Sequence, residues 1–269
     1  MSAFKDLSLP LLPGYYYHIF NRGNEQRYIF FNKENYRYFL QRYANYTLGY
    51  FDTYSYCLLD NHFHLLVKPK TEEDILSKAL DDFETVDKLF FDRYAKPWLQ
   101  SIGVKQTDGL TVLSELLNLM AQNTFEPTEN LHNITHLEQL NFKTQLCSHL
   151  VSERFRRFLL SYAKSINKEQ KRTGSLFQKA FRRKLVEDVH DLKRVATYIH
   201  HNVIHHNYAY RYESYPWSSY QTISSNFETK LCKEELLSWF HGMDFFLTYH
   251  ENYRKHKWDN EYFFIEEDI

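Results

Sequence analysis

The chain has 269 residues, 43% of them hydrophobic, with 22 Tyr, 22 Phe and a formal net charge of −1. That length and apolar content suit one large folded unit with additions, and seven Gly and six Pro leave little flexible linker. No apolar run approaches the roughly 18 residues of a membrane helix. The N-terminus lacks the apolar core of a signal peptide, and Cys57, Cys147 and Cys232 are too scattered for a disulfide framework or a zinc site, so a cytoplasmic setting is expected.

Tyr15-Tyr16-Tyr17-His18-Ile19-Phe20 reads as a strand, rich in aromatic and β-branched types, and Asn21-Arg22-Gly23-Asn24 as a turn. Lys33 to Leu48 carries Tyr36, Phe39, Leu40 and Tyr43 near helical spacing, and Gly49 stops it. Phe51 to Leu59 is a second strand. Asp60-Asn61 has hairpin-turn chemistry, and His62 to Lys68 returns antiparallel until Pro69. From about 71 to 142 the texture changes. An acidic start gives way to helical patches such as 110–120 and polar interruptions, which predicts a helical insertion.

Thr144 to Asn167 resumes a strong helical period through Leu146, Leu150, Phe155, Phe158, Leu159, Tyr162 and Ile166. Thr173-Gly174-Ser175 breaks it. Leu176 to Val186 reads as a basic strand, and Asp188 as the cap of a helix to about Val203, with Leu192, Val195, Ala196 and Ile199 as its buried stripe. Tyr215 to Tyr220 is an irregular closing segment, and from Phe227 the chain ends in a helical, increasingly acidic tail. The order predicts an α+β fold: a ferredoxin-like antiparallel sheet with packed helices, a helical insertion and a C-terminal helical extension. The expected division is 1–225 for the main unit and 226–269 for the extension.

The hairpin strand holds the first chemical signal. In Asp60-Asn61-His62-Phe63-His64-Leu65-Leu66 the two histidines are two residues apart, so on a strand they project from one face, while Phe63, Leu65 and Val67 turn to the core. Two imidazoles so placed can offer nitrogens to one divalent cation. Taken alone, the pair reads more readily as two half-buried strand histidines than as a metal site. Charge is the second signal. Between Val151 and His200 there are 13 basic residues against five acidic ones, and aromatics are interleaved, which is the footprint of a nucleic-acid binder. Third, Tyr198 and Asn202 lie four apart and share a helix face beside the buried stripe. His200, His201, His205 and His206 read as exposed helix-end histidines, with a second metal site as the alternative.

Taken in order, these landmarks resemble the His-hydrophobic-His single-tyrosine transposases of single-stranded DNA, in particular the REP-associated tyrosine transposases. Tyr17-His18-Ile19-Phe20-Asn21-Arg22-Gly23 looks like the family's first strand, His62-Phe63-His64 like its metal motif, and Gly174-Ser175-Leu176-Phe177-Gln178 like the segment before its late strand. Tyr198-Ile199-His200-His201-Asn202 looks like its tyrosine helix and Trp217-Ser218-Ser219-Tyr220 like its closing motif. The match spans about 14–68 and 144–225. The resemblance implies Tyr198 as nucleophile, His62, His64 and Asn202 as ligands of Mg²⁺ or Mn²⁺, and single-stranded or hairpin DNA as partner, with no membrane and with a homodimer as one arrangement. One departure stands out: the family has Asn-Pro where this chain has Asn202-Val203, so the helix is free to continue.

The implied chemistry is strand cleavage by the phenol, leaving a 3′-OH and a 5′-phosphotyrosine that a second 3′-OH can reverse. An unperturbed tyrosine is only about one part in a thousand phenolate at pH 7, so the site must assist. Arg22, Arg154, Arg157, Lys179, Arg182 and Arg183 are the candidates for tracking the DNA backbone, and His18 for lining the site. Two other readings stay open. One is a DNA-binding protein whose catalysis has lapsed. The other is a metallohydrolase using water, whose cleavage would survive Tyr198→Phe.

Overall fold

The computed structural model describes residues 9–85, 100, 141–178 and 180–256. Its strands are β1 (Tyr16–Arg22), β2 (Phe51–Leu59), β3 (His62–Pro69) and β4 (Arg182–Val186). Its helices are α1 (Lys33–Thr47), α2 (Glu72–Thr85), α3 (Phe142–Glu169), α4 (Val189–His205), α5 (Tyr220–Ser224), α6 (Lys233–Trp239) and α7 (Met243–His256). The strands form one sheet in the order β2-β3-β1-β4, with every neighbouring pair antiparallel. This is the expected α+β, ferredoxin-like plan.

Alternation along the strands makes the sheet two-sided. Tyr17, Ile19, Phe63, Leu65 and Val67 face one way and pack with Phe39 of α1, Ile75 and Leu76 of α2, and Phe155, Phe158 and Tyr162 of α3. Leu66, Cys57, Leu59 and Val186 face the other way, against Val195, Ala196 and Ile199 of α4, Trp239 of α6, Phe240 just after it, and Phe246 of α7. Each buried Leu or Phe contributes on the order of 1.5–3 kcal/mol, so both layers stabilise the sheet between them. Helix starts are set locally. The side chains of Asn32, Asn141 and Asp188 accept hydrogen bonds from the backbone N–H groups of Asn35, Thr144 and Asp191.

Some boundaries differ from the sequence expectation. β1 continues through Arg22, and the turn begins at Gly23, where any side chain would collide with the Arg27 carbonyl. The last strand starts only at Arg182. Upstream, Phe177 makes an isolated bridge to Gly23, and the Ser175 hydroxyl donates to the Phe177 carbonyl, a local bond that competes with a ladder. The start of the predicted insertion is a core helix: α2 is clamped to α3 by the buried Lys143–Glu72 pair and by Arg154 with Asp82. The 110–120 patch and residues 257–269 of the tail lie outside the described residues. The closing segment shields the outer edge of β2: Leu58 N–H donates to the Trp217 carbonyl at 3.0 Å and Ser219 N–H to the Tyr56 carbonyl at 2.9 Å. Among the described residues no helix is long and apolar enough to cross a membrane.

Candidate active site

The β2–β3 hairpin brings His62 and His64 onto the face that α4 covers. Across the β1–β3 ladder His62 is paired with Arg22 and His64 with Phe20, so Arg22, Phe20 and His18 of β1 share that face. Both histidines are buried, and their ring centroids lie 5.2 Å apart with nearly perpendicular planes.

The tautomer of His62 follows from its neighbour. The Asn61 side-chain amide donates from Nδ2 to the Gln26 carbonyl at 3.2 Å, so its Oδ1 is the atom 2.6 Å from His62 Nδ1. An amide oxygen only accepts, so His62 Nδ1 carries the hydrogen and Nε2 keeps the lone pair, the form that binds a metal. His64 Nδ1 lies 3.0 Å from His18 Nε2, with the two rings stacked.

Helix α4 supplies the other half. The Tyr198 ring meets His64 at 5.7 Å and His18 at 5.9 Å between centroids, both edge-on. Tyr198, Asn202 and His206 follow at successive four-residue steps. Tyr198 sits over His64, and His206 comes to 4.9 Å from the His62 ring. Asn202 is buried, its Nδ2 donating to the Tyr198 carbonyl at 2.8 Å. Its Oδ1 has no hydrogen-bond partner among the described residues. A buried amide oxygen in that condition, on the helix between Tyr198 and His206, is a donor of a type that suits a divalent cation.

The basic candidates divide by strand phase and layer. Arg182 pairs with Phe20 and Lys184 with His18, so both lie on the histidine face. Arg183 pairs with Ile19 and points to the opposite layer, where its guanidinium lies over the Phe181 ring and burial lowers its pKa to about 10. Arg154 is a correction to the expected surface. It is buried, bound to the Asp82 carboxylate and the Tyr50 hydroxyl, and holds α3 to α2. Arg157 sits over the Tyr46 ring of α1 at 5.9 Å, likewise across the sheet from the histidines. Arg22 is half-buried at the end of β1 next to His62. Lys179 lies outside the described residues.

Three residues beside the site were not singled out from sequence as parts of it: Asn61, Lys184 and His206. Strand alternation could have found Lys184, since Arg182 and Lys184 share a face that Arg183 cannot. A second correction concerns the histidine run. His205 is exposed, but His200 and His201 are buried. His250 Nδ1 donates to the Phe246 carbonyl, so its Nε2 accepts from His200 Nδ1 at 2.9 Å, and His200 Nε2 is 2.8 Å from the Ser219 hydroxyl. Desolvation lowers both imidazoles, that of His250 to about 3, so the network is neutral. Asp188, His190 and Asp191 also bring three donors together, but they are largely exposed at the start of α4, where Asp188 caps the helix and Asp191 pairs with Arg194.

No family model matches the sequence, and no curated protein does. One solved structure, described as the REP associates tyrosine transposase bound to a REP hairpin, is similar over 84% of this chain and 87% of its own, at 11% identity and a TM-score of 0.45.

Proposed function

We propose that the chain is a metal-dependent nuclease and ligase of single-stranded or hairpin DNA, transposase-like, that cuts through a covalent link to Tyr198. The observation that carries this reading is the edge-on contact of the Tyr198 ring with His64 and His18, from a late helix onto the early strands β3 and β1. The ordered sequence landmarks support it independently.

In this reading His62, His64 and Asn202 hold the cation, and two imidazole ligands favour Mn²⁺ over Mg²⁺. Bound there, the ion would draw charge from the non-bridging oxygens of the scissile phosphate. The remaining work falls to the chain. Tyr198 Oη attacks phosphorus and loses its proton, the bond from phosphorus to the 3′-oxygen breaks, and that oxygen leaves as a hydroxyl once protonated. The phosphotyrosine preserves the phosphodiester energy, so an incoming 3′-OH can reverse the step without ATP. Arg22, Arg182 and Lys184, on the same sheet face, track the DNA backbone. Arg183, Arg154 and Arg157 are left out of that interface because they belong to the other layer.

The deciding experiment is a suicide assay: labelled hairpin DNA with a single-stranded flank is incubated with Mn²⁺, and a denaturing gel is read for a covalent adduct. An adduct supports the reading. Binding without an adduct favours the second reading, a DNA-binding protein whose catalysis has lapsed. Two observations motivate that alternative: Tyr198 is only 2% exposed, and the Asn202 amide is engaged with the Tyr198 carbonyl.

A further inference from the structure

His18 does more than fill space. It lies on β1 diagonally across from His64, packed against Phe20 at 4.9 Å and touching the edge of Tyr198. Its Nε2 and His64 Nδ1 are 3.0 Å apart and both side chains are buried, so one nitrogen carries a hydrogen and the other accepts it. The two arrangements have opposite consequences. If His18 donates, His64 carries its own hydrogen on Nε2 and cannot offer that nitrogen to a cation. If His64 donates from Nδ1, its Nε2 holds the lone pair, and it matches the form that Asn61 imposes on His62.

We infer that His18 is a positioning residue that accepts a hydrogen bond from His64 Nδ1 and so holds His64 in the tautomer that presents Nε2. Asn61 and His18 are then a matched pair of supports, one for each strand histidine. Such partners of metal-binding histidines set ring orientation and donor strength, and losing one costs about 10–100-fold in metal affinity. Both the choice of tautomer and its consequence for metal binding rest on the reading of the site given above; the 3.0 Å contact itself does not.

The test uses the full chain labelled with ¹⁵N, free of metal, and reads the tautomer of His64 from its long-range ¹H–¹⁵N couplings. Mn²⁺ titration followed by electron paramagnetic resonance is the second readout. His64 is expected with its hydrogen on Nδ1 in the wild type. His18→Leu, which offers no acceptor, is expected to release it toward the Nε2–H form and to weaken Mn²⁺ binding by about tenfold or more. His18→Gln, which keeps an acceptor, is expected to preserve both. A wild-type His64 already protonated on Nε2, or His18→Leu with unaltered tautomer and Mn²⁺ affinity, overturns the inference. If His18→Leu does not fold, the wild-type tautomer and the Gln variant still decide. A wild type that binds no Mn²⁺ overturns the metal reading instead, and the tautomer result stands by itself.

Discussion

Tyr198→Phe removes one oxygen and keeps the ring that rests on His64 and His18. Adduct formation is therefore expected to fall by a factor of about 10³ or more while DNA affinity stays near wild type, as measured by gel assay and fluorescence anisotropy. Cleavage that persists in this variant would instead point to attack by water. Chelation with EDTA is expected to stop adduct formation, and added Mn²⁺ to restore it more fully than Mg²⁺, because imidazole nitrogen is a softer donor than the oxygen Mg²⁺ prefers. His206 belongs to this scale as well. It reaches the His62 ring because α4 runs on past Val203, where the resembled family has a helix-ending proline.

The element that decides the proposed DNA interface is β4. Its alternation gives Arg182 and Lys184 to the histidine face and Arg183 to the core side. The double variant Arg182→Ala/Lys184→Ala is expected to weaken single-strand binding and to flatten the log–log salt dependence by about 1 to 1.5. Arg183→Ala is expected to leave that slope alone and to lower stability. An equal slope change in both variants would contradict the assignment of faces. The α2–α3 pair offers a separate check. Asp82→Ala strands the buried Arg154 guanidinium, and urea unfolding is expected to report a loss of roughly 3–5 kcal/mol with no direct effect on DNA contacts.

At the scale of the whole molecule, the C-terminal helices are part of the machinery that holds α4. Phe240 and Phe246 join its apolar cluster, and His250 of α7 closes the network through His200 to Ser219. Both imidazoles are held neutral by burial, with pKa values depressed below the ordinary 6.5. The unfolded chain therefore takes up protons first as pH falls; the contribution of His250 to stability is complete above about 6.5 and drains away from there through about 3, and His200 acts in the same direction. Between pH 6.5 and 5 the expected loss from His250 is about 1.6 kcal/mol, with His200 adding in the same direction, read from urea midpoints. His250→Gln should flatten that dependence. A wild-type midpoint that rises toward pH 5 would contradict it.

Element order, the two-sided strands and the ordered landmarks were legible along the chain, because strand alternation and helical period are local properties of neighbouring residues. So was the shared face of His62 and His64, and that of Tyr198 and Asn202. What the chain could not disclose is which faces meet. That Arg154 serves a buried ion pair, that His200 and His201 lie beneath α7, and that His18 reaches His64 all depend on residues dozens of positions away. The same histidine is solvated or buried according to whether a later helix covers it, and only the folded chain decides that.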